Sequence, residues 1–276
     1  MSSPTVEQFA SLIRERTGNV VPEERFALLE EVAERRARAL SYPDVPTYLK
    51  ALSSGLLAGE WDGLISLITI KESYFFRAPQ QFEALRREIL PRLLAARSGS
   101  RRLRFWSAAC ARGEEPSTLA ILCAEEPALT GWQWSILATD VDEEALEGAR
   151  RGLYGERAVS QVPPELLARH FTRRGKLYEL DPRLRSTIDY QALNLAQSPL
   201  NLPEGEFDLI LLRNVLIYFK RPLQRRVVGQ VAERLASEGY MFLGASETLW
   251  QIEVELDPVD LGGCFCYRHA TSPRPA

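Results

Sequence analysis

The chain has 276 residues, of which 45% are hydrophobic and 26% are charged, and its formal net charge is −3. This composition is typical of a globular protein, and the length suffices for one large α/β domain and a small accessory domain. The slight negative charge argues against a general attraction to nucleic acid or acidic lipid, and no apolar run is long enough to span a membrane. The N-terminus lacks the pattern of a signal peptide, so we expect a soluble, cytoplasmic protein without membrane insertion.

The cysteine and histidine residues predict no metal site. Cys110 and Cys123 lie in apolar stretches, and the other two of the four cysteines alternate along a predicted strand. The chain has only two histidines, His170 and His269, so a zinc site would lack further ligands. We therefore interpret the cysteines as buried, reduced thiols.

The first seventy residues have the apolar spacing of amphipathic helices. Val6 and Phe9 share one helical stripe, and a second stripe begins at Phe26. We predict a helical N-terminal domain over residues 1–70, followed by a linker over residues 71–100.

From residue 101 onward, short apolar runs alternate with helical patterns. The runs are bounded by turn signals, as in a parallel sheet wrapped by helices. They cover residues 103–109, 134–139, 207–212 and 240–244. The stretch at about 172–190 is short, charged and β-prone, so it predicts a small antiparallel β-subdomain. Residues 101–276 therefore predict a Rossmann-like α/β domain that carries this subdomain.

Polar side chains follow three of the predicted strands, at the ends where an open parallel sheet binds its ligands. Residues 110–116 form a tight turn after the first strand, Asp140 and Asp142 follow the second, and residues 213–219 follow the third. Because these strand ends meet at one edge of the sheet, we expect the three features to share one crevice.

The residues of this crevice favour S-adenosylmethionine over a dinucleotide. The acid at the end of the second strand, Asp140, suits the two hydroxyls of a ribose. The turn after the first strand has a single glycine, Gly113, followed by Glu114 and Glu115. These carboxylates would repel a pyrophosphate but attract an ammonium or a sulfonium, although acids are also ordinary dipole partners at a helix start.

Six motifs occur in an order that is typical of one protein family. They are ESYFFR at 72–77, WSAAC followed by GEEP within 106–116, ATDVD at 138–142, ARRGLY at 149–154, RNVLIYF at 213–219 and FLGASE at 242–247. Each motif is weakly specific alone, but six motifs in register are highly specific. From about residue 5 to residue 268, the chain resembles the CheR-type chemotaxis protein-glutamate O-methyltransferase family.

The resemblance implies a small all-α N-terminal domain and a Rossmann-like methyltransferase domain with a small antiparallel β-subdomain. It also implies methyl esterification of glutamate side chains on methyl-accepting chemotaxis receptors, with S-adenosyl-L-methionine as cofactor and S-adenosyl-L-homocysteine as product. Two alternatives stay open: a methyltransferase of the same fold with another substrate, and a non-catalytic relative that binds the cofactor or a receptor. The acidic net charge argues against RNA as that other substrate.

The resemblance also assigns the residues of the site. The cofactor-binding residues that it implies are Lys71, Ser73, Arg77, Glu115, Asp140, Asn194, Leu195, Arg213 and Asn214. Asp140 would hold the ribose, and the catalytic residues Arg77 and Tyr218 would stand closest to the transferring methyl group. An arginine can clamp the incoming carboxylate, and a tyrosine hydroxyl can orient it.

The sequence departs from the family at three places beside the site, one of them Ser73, which stands where the family usually has threonine and keeps the hydroxyl. Lys71 replaces the usual asparagine, and Arg112 stands in a turn that is normally small. We expect Lys71 to pair with the methionine carboxylate of the cofactor, the alternative being a side chain that points to water. Arg112 is expected to neutralise Glu114 or to narrow the pocket, and Glu114 and Glu115 are expected to sense the sulfonium.

The expected partners are the cytoplasmic helices of chemotaxis receptors, with no nucleic acid. Arg35, Arg36 and Arg38 form a basic cluster on the second predicted helix. We expect this cluster to face the methyltransferase cleft and to steer acidic receptor helices toward it, the alternative being a solvated face. The sequence leaves open whether the short β-subdomain docks a receptor tail.

Overall fold

The computed structural model describes residues 3–270, so the outer ends of the first and last predicted domains lie outside the described part. The chain begins with α1 (Pro4–Thr17), α2 (Phe26–Ala39), α3 (Val45–Ser53) and α4 (Glu60–Ile68). The Ser3 hydroxyl caps α1 by accepting from the backbone N–H of Val6. Phe9, Leu49 and Leu64 are fully buried, and with their neighbours they form an apolar core that is separate from that of the sheet.

An ion pair fixes α2 against α4 at the edge of this core. Arg36 Nε and Nη2 each lie 2.6 Å from a carboxylate oxygen of Glu60, and the Tyr48 hydroxyl donates to the same carboxylate at 3.0 Å. The expectation that the whole basic cluster faces the methyltransferase cleft is therefore wrong for Arg36. The Glu60 carboxylate binds this guanidinium through two hydrogen bonds and keeps it within the helical segment. Arg35 and Arg38 are exposed.

The segment predicted as a linker contains further helix. It comprises α5 (Pro79–Ala84), a π-helical turn (Leu85–Ile89) and α6 (Leu90–Ala96). Its side chains Phe75, Phe82 and Leu93 are buried in the same core as one face of the sheet. The linker is therefore packed on the domain that follows it.

Ten strands lie within residues 3–270. In chain order they are β1 (Arg102–Ala108), β2 (Gln133–Asp140), β3 (Leu153–Gly155), β4 (Phe171–Arg174), β5 (Leu177–Leu180), β6 (Ile188–Ala192), β7 (Phe207–Leu212), β8 (Leu235–Leu243), β9 (Leu256–Asp260) and β10 (Phe265–His269). Seven form the main sheet in the order β6-β2-β1-β7-β8-β10-β9, with the first five parallel and the last two antiparallel. The predicted apolar runs correspond to β1, β2, β7 and β8, so the predicted Rossmann-like fold is confirmed.

Helices and loops cover the main sheet, as its apolar strands require. The helices of this domain are α7 (Glu114–Glu125), α8 (Glu143–Arg151), α9 (Glu156–Val159), α10 (Pro164–His170), α11 (Pro182–Arg185) and α12 (Arg221–Ala232). Of these, α9 packs on β3 and β5, and α10 packs on β4. Every residue of β7 is buried, because a central parallel strand is covered on both faces. The strand order reverses between β1 and β7, so their carboxyl ends frame a crevice. Within residues 3–270, no helix combines the length and apolar character that a membrane crossing needs.

The small antiparallel sheet has the order β3-β5-β4 and differs from the predicted stretch at both ends. It begins at Leu153, and Ile188–Ala192 pairs in parallel with β2 of the main sheet instead. Pro182 begins α11, which separates this last segment from the hairpin. Ile188 and Tyr190 are buried in the main core, so apolar burial assigns the segment to the main sheet.

The ion pair of the helical segment leads to a prediction about stability. Glu60→Ala should lower the free energy of unfolding by about 1.5–3 kcal/mol, because Arg36 and Tyr48 lose a shared charged acceptor. Denaturation with urea measures this loss. Glu34→Ala is the control, because Glu34 is 61% exposed in its pair with Arg38 and should contribute less than about 0.5 kcal/mol. Equal losses in the two variants would contradict a special role for the shielded pair.

Candidate functional site

A cleft lies at the carboxyl ends of β1, β2 and β7, and the helical segment forms its opposite wall. It contains two adjoining cavities, which share Ile70, Ala109, Ala111, Asn214 and Tyr218. We call them the Asp140 cavity and the Glu115 cavity, each after one acid in its lining. The helical segment contributes Ile13, Val20 and Arg25 to the Asp140 cavity.

Hydrogen bonds hold the helical segment over the Asp140 cavity. The N–H of Val20 donates to the C=O of Tyr218 at 2.8 Å, and the Asn194 side-chain amide donates to the C=O of Arg16 at 2.8 Å. Gly18 ends α1 with a φ of 78°, and a Cβ at this position would collide with side chains of the sheet domain. These contacts carry no sequence motif, so the sequence does not predict which residues of the helical segment form this wall of the cleft.

The loops that line the cleft have strained backbone conformations. Ala109, Ala111 and Asn214 have φ values of 60°, 49° and 60°, in the left-handed region that residues with a Cβ rarely occupy. Such conformations persist where surrounding contacts hold them, and they are frequent at ligand sites. Gly113, at the entry to α7, has a φ of 84°, and a Cβ there would stand 2.8 Å from Tyr190 Oη. The turn after β1 therefore needs a glycine at that point.

Asp140, at the end of β2, is oriented by two backbone donors. The N–H of Ala111 donates to Oδ2 at 2.8 Å, and the N–H of Asp142 donates to Oδ1 at 3.0 Å. Burial raises the pKa of Asp140 to about 6, although the two donors oppose that shift. Each carboxylate oxygen has a second acceptor position, so ligand hydroxyls can bind beside the backbone donors.

Glu115 and Arg213 form an ion pair in the wall of the Glu115 cavity. Arg213 Nη1 lies 2.9 Å from Glu115 Oε2, and Ser107 Oγ donates to Glu115 Oε1 at 2.7 Å. Arg213 Nη2 donates to the C=O of Arg77 at 2.6 Å, and the guanidinium carbon lies 5.1 Å from the centre of the Phe82 ring. Burial raises the pKa of Glu115, while the charge of Arg213 opposes that shift.

Ser73, Arg77 and Tyr218 also line the Glu115 cavity. The Ser73 hydroxyl is hydrogen-bonded to Glu114, and Arg77 Nη1 donates to the C=O of Glu72 at 2.7 Å. Burial raises the pKa of Tyr218, so its hydroxyl stays protonated near neutral pH and can donate a hydrogen bond. The charge of Arg77 partly opposes this shift, because the two side chains face the same cavity.

Asn194, Leu195 and Asn214 line the Asp140 cavity. The Asn194 side chain is already engaged on both sides, since its Oδ1 accepts from the N–H of Ala196 at 2.9 Å while its amide holds the helical segment. The structure therefore brings every predicted cofactor-binding residue to the cleft, with the exception of Lys71.

Lys71 pairs with an acid outside the cleft. Its Nζ lies 2.9 Å from Asp142 Oδ2 and 2.6 Å from Ser66 Oγ, and the residue lines a separate cavity. Both expectations for Lys71 are corrected, because the amine neither enters the cleft nor points to water. The physical reason is a buried carboxylate within reach of the amine, which would otherwise be left without a cation.

Glu114 and Arg112 line the same separate cavity as Lys71. Burial raises the pKa of Glu114, and the charge of Arg112 opposes that shift, as expected for a neutralising partner. Of the two adjacent acids, Glu115 lines the cleft and Glu114 does not. Glu114 is linked to the cleft through the Ser73 hydroxyl, and its response to a sulfonium stays a prediction.

Two family models match adjacent parts of the chain. The all-alpha domain of the CheR methyltransferases matches residues 4–69, and the SAM-binding domain of the CheR methyltransferases matches residues 71–261. The first match covers α1 to α4, and the second covers the linker and most of the strands.

Three curated relatives extend this similarity over most of the chain. The chemotaxis protein methyltransferase of Escherichia coli is 31% identical over 257 residues, which cover 92% of this chain and 87% of the relative. Chemotaxis protein methyltransferase 1 of Pseudomonas aeruginosa is 37% identical over 211 residues, which cover 74% of this chain and 76% of the relative. The probable biofilm formation methyltransferase WspC of the same species is 29% identical over 271 residues, which cover 98% of this chain and 63% of the relative.

Replacing Lys71 by asparagine should weaken the fold. The shorter amide cannot reach Asp142, whose side chain is 2% exposed, so a buried carboxylate loses its cation. We expect the free energy of unfolding to fall by about 1.5–3 kcal/mol in chemical denaturation. Arg157→Asn is the control, because Arg157 is 92% exposed and should contribute less than about 0.5 kcal/mol. An unchanged stability in Lys71→Asn would show that Asp142 needs no cation.

Proposed function

This chain belongs to the CheR methyltransferase family, and from that membership we propose that it esterifies glutamate side chains of chemotaxis receptors. The family and its named relatives make the chain an S-adenosylmethionine-dependent methyltransferase of chemotaxis. The receptor glutamate as methyl acceptor is the proposed part. The observation that carries it is the presence of a cation and a hydroxyl donor, Arg77 and Tyr218, in the same cavity as Glu115.

The residues of the cleft fit the chemical groups of S-adenosylmethionine. The Asp140 carboxylate would accept hydrogen bonds from the ribose hydroxyls, and apolar neighbours such as Leu195 would enclose the adenine. In the adjoining cavity, Glu115 would attract the ammonium group, and the Ser73 hydroxyl would exchange its bond to Glu114 for one to the methionine carboxylate. The positions of the two cavities side by side therefore suit a nucleoside with a charged amino-acid tail.

The chemistry asks little of the protein beyond alignment. Bound S-adenosylmethionine supplies a methyl group on a positively charged sulfur. A glutamate oxygen would form the bond to that carbon as the carbon–sulfur bond broke, and the electron pair would leave with the sulfur. No proton moves, because the glutamate carboxylate is already ionised near neutral pH. Catalysis then consists mainly in holding the two partners in line and excluding water.

We assign Arg77 and Tyr218 to the incoming carboxylate. The guanidinium can bind both carboxylate oxygens, and the protonated Tyr218 hydroxyl can donate one hydrogen bond that fixes their direction. Ile217 lines the same cavity and is 53% exposed, so it marks the mouth through which the glutamate side chain enters.

The proposed receptor surface is acidic and helical. With Arg36 committed to Glu60, the proposed steering cluster on α2 reduces to the exposed Arg35 and Arg38. Arg25, which lines the Asp140 cavity, adds a positive charge at the helical wall of the cleft. Long-range attraction between these charges and an acidic helix would raise the rate of encounter rather than the rate of methyl transfer.

Cofactor binding should depend on pH through Asp140. Only the ionised carboxylate can accept from both ribose hydroxyls, so the affinity for S-adenosylhomocysteine should be full above the Asp140 pKa of about 6 and should fall below it. Asp140→Asn should weaken binding by about 1.5–3 kcal/mol above that pKa and remove most of the pH dependence. Isothermal titration calorimetry at several pH values measures both effects.

Asp189→Asn is the control for this prediction, because Asp189 is exposed on β6 away from the cavity lining. It should keep the wild-type affinity and its pH dependence. Wild-type binding by a folded Asp140→Asn variant would remove the assignment of the ribose site.

Removing the Tyr218 hydroxyl should slow methyl transfer without releasing the cofactor. Tyr218→Phe keeps the ring but loses the donor, so kcat on a receptor cytoplasmic fragment should fall about tenfold while the affinity for S-adenosylhomocysteine changes little. Transfer of a radiolabelled methyl group measures the rate. Mild alkali should release the label, since carboxyl methyl esters hydrolyse readily in base.

Tyr42→Phe, in the helical segment, should retain the wild-type kcat as a matched tyrosine control. The proposed acceptor would be refuted by a label that resists alkali, or by a wild-type protein that binds the cofactor but transfers nothing to the receptor fragment.

A further inference from the structure

Glu247, in the loop after β8, binds four backbone N–H groups with one carboxylate. Its Oε2 accepts from Asn214 at 2.6 Å and from Gly244 at 2.7 Å. Its Oε1 accepts from Leu216 at 2.8 Å and from Ile217 at 3.3 Å. Three of these donors belong to the turn that follows β7, so the carboxylate ties that turn to the end of β8.

These bonds satisfy backbone groups at the point where the chain leaves the sheet. The parallel pairing of β7 with β8 ends at Leu212 and Leu243, and Asn214 follows with a φ of 60°. A turn of this kind needs partners for its N–H groups and contacts that hold its strained residue. Glu247 supplies both with a single side chain.

Gly244 leaves the space that the carboxylate needs. A Cβ at this position would stand 2.6 Å from Glu247 Oε2 and 2.6 Å from Asn214 Nδ2. The backbone of Gly244 is outside the left-handed region, so the site requires the absence of a side chain rather than unusual backbone freedom. Gly244 and Glu247 therefore act as one unit.

We infer that Glu247 is a positioning residue for methyl transfer, which holds the turn of residues 213–218 in the shape that forms the cleft. Glu247 lines neither cavity, whereas Asn214 and Tyr218 line both. The turn begins with Arg213, which pairs with Glu115. A displaced turn would therefore change the cofactor side and the acceptor side of the cleft together. The inference rests on the roles proposed above for these two sides.

Glu247→Gln tests this role with almost no change in side-chain size. The glutamine oxygen can accept from one pair of N–H groups, but its amide nitrogen would face the other pair, donor against donor. We expect the dissociation constant of S-adenosylhomocysteine to rise about tenfold and kcat on the receptor fragment to fall about tenfold. Both are measured well below the unfolding temperature of the variant. Gly244→Ala should give the same combined pattern, whereas Tyr218→Phe should lower kcat alone.

Asp208→Asn is the matched control for a purely structural effect. Asp208 lies near the opposite end of β7, where its buried carboxylate accepts from the N–H of Arg104 at 2.8 Å and from Arg97 Nε at 2.6 Å. Asp208→Asn should lower the unfolding temperature but leave cofactor affinity and kcat unchanged. If Glu247→Gln behaves in the same way, Glu247 only stabilises the fold and the inference is overturned.

Asp140→Asn separates this inference from the proposed function. Suppose that Asp140→Asn binds S-adenosylhomocysteine more weakly, while Glu247→Gln retains wild-type binding and kcat. The assignment of the cleft would then be supported, and the positioning role of Glu247 would be refuted. Wild-type binding in both variants would remove the cleft assignment, and the inference would fall with it.

Discussion

The ion pair between Glu115 and Arg213 is the interaction on which the cleft depends. It joins the start of α7 to the end of β7, and the same guanidinium reaches the linker through the C=O of Arg77. The two side chains are 14% and 3% exposed, so both ions have given up most of their hydration. Desolvation offsets much of the attraction within such a pair, so its main effect is to select one arrangement of the three segments. Ser107 donates to Glu115, and the Phe82 ring contacts the guanidinium of Arg213.

The ionisation of the acids in the cleft depends on the same opposition between desolvation and attraction to neighbouring charges. Burial raises the pKa of Glu115, and the neighbouring guanidinium opposes the shift, while Asp140 reaches a pKa of about 6. Ligand hydroxyls or cationic groups replace part of the hydration that both acids have lost, and they favour the ionised forms. Under the proposed function, these two local carboxylates would supply the attraction for the ribose hydroxyls and the ammonium group. The overall net charge of −3 contributes little to it.

Local sequence patterns predict most of the helices and strands, because these elements depend mainly on residues that are close in the sequence. Both ends of β7 are predicted correctly from its continuous apolar run. The prediction misses the first half of β8, which begins at Leu235, because exposed polar residues interrupt the apolar pattern there. The cleft is predictable because parallel strand ends converge on one edge. The predicted positions of Arg36 and Lys71 are wrong because each side chain pairs with a carboxylate from another helix or loop. The sequence pattern of β6 likewise does not show that its partner is β2. Glu247 lies in a quoted motif, but only the fold shows which four N–H groups it binds.

Lys71 pairs with Asp142 and does not enter the cleft. Asp142 Oδ1 caps α8 by accepting from the N–H of Ala145 at 3.0 Å, and Oδ2 accepts from Thr69 Oγ1 and Lys71 Nζ, each at 2.9 Å. The N–H of Asp142 donates to Asp140. Through its side chain and its backbone N–H, Asp142 thus connects the end of the helical segment, the linker, a helix cap and the loop that carries Asp140. Because Lys71 adds its charge at this junction, it stabilises the connection between the two parts of the chain and leaves the charges of the cleft unchanged.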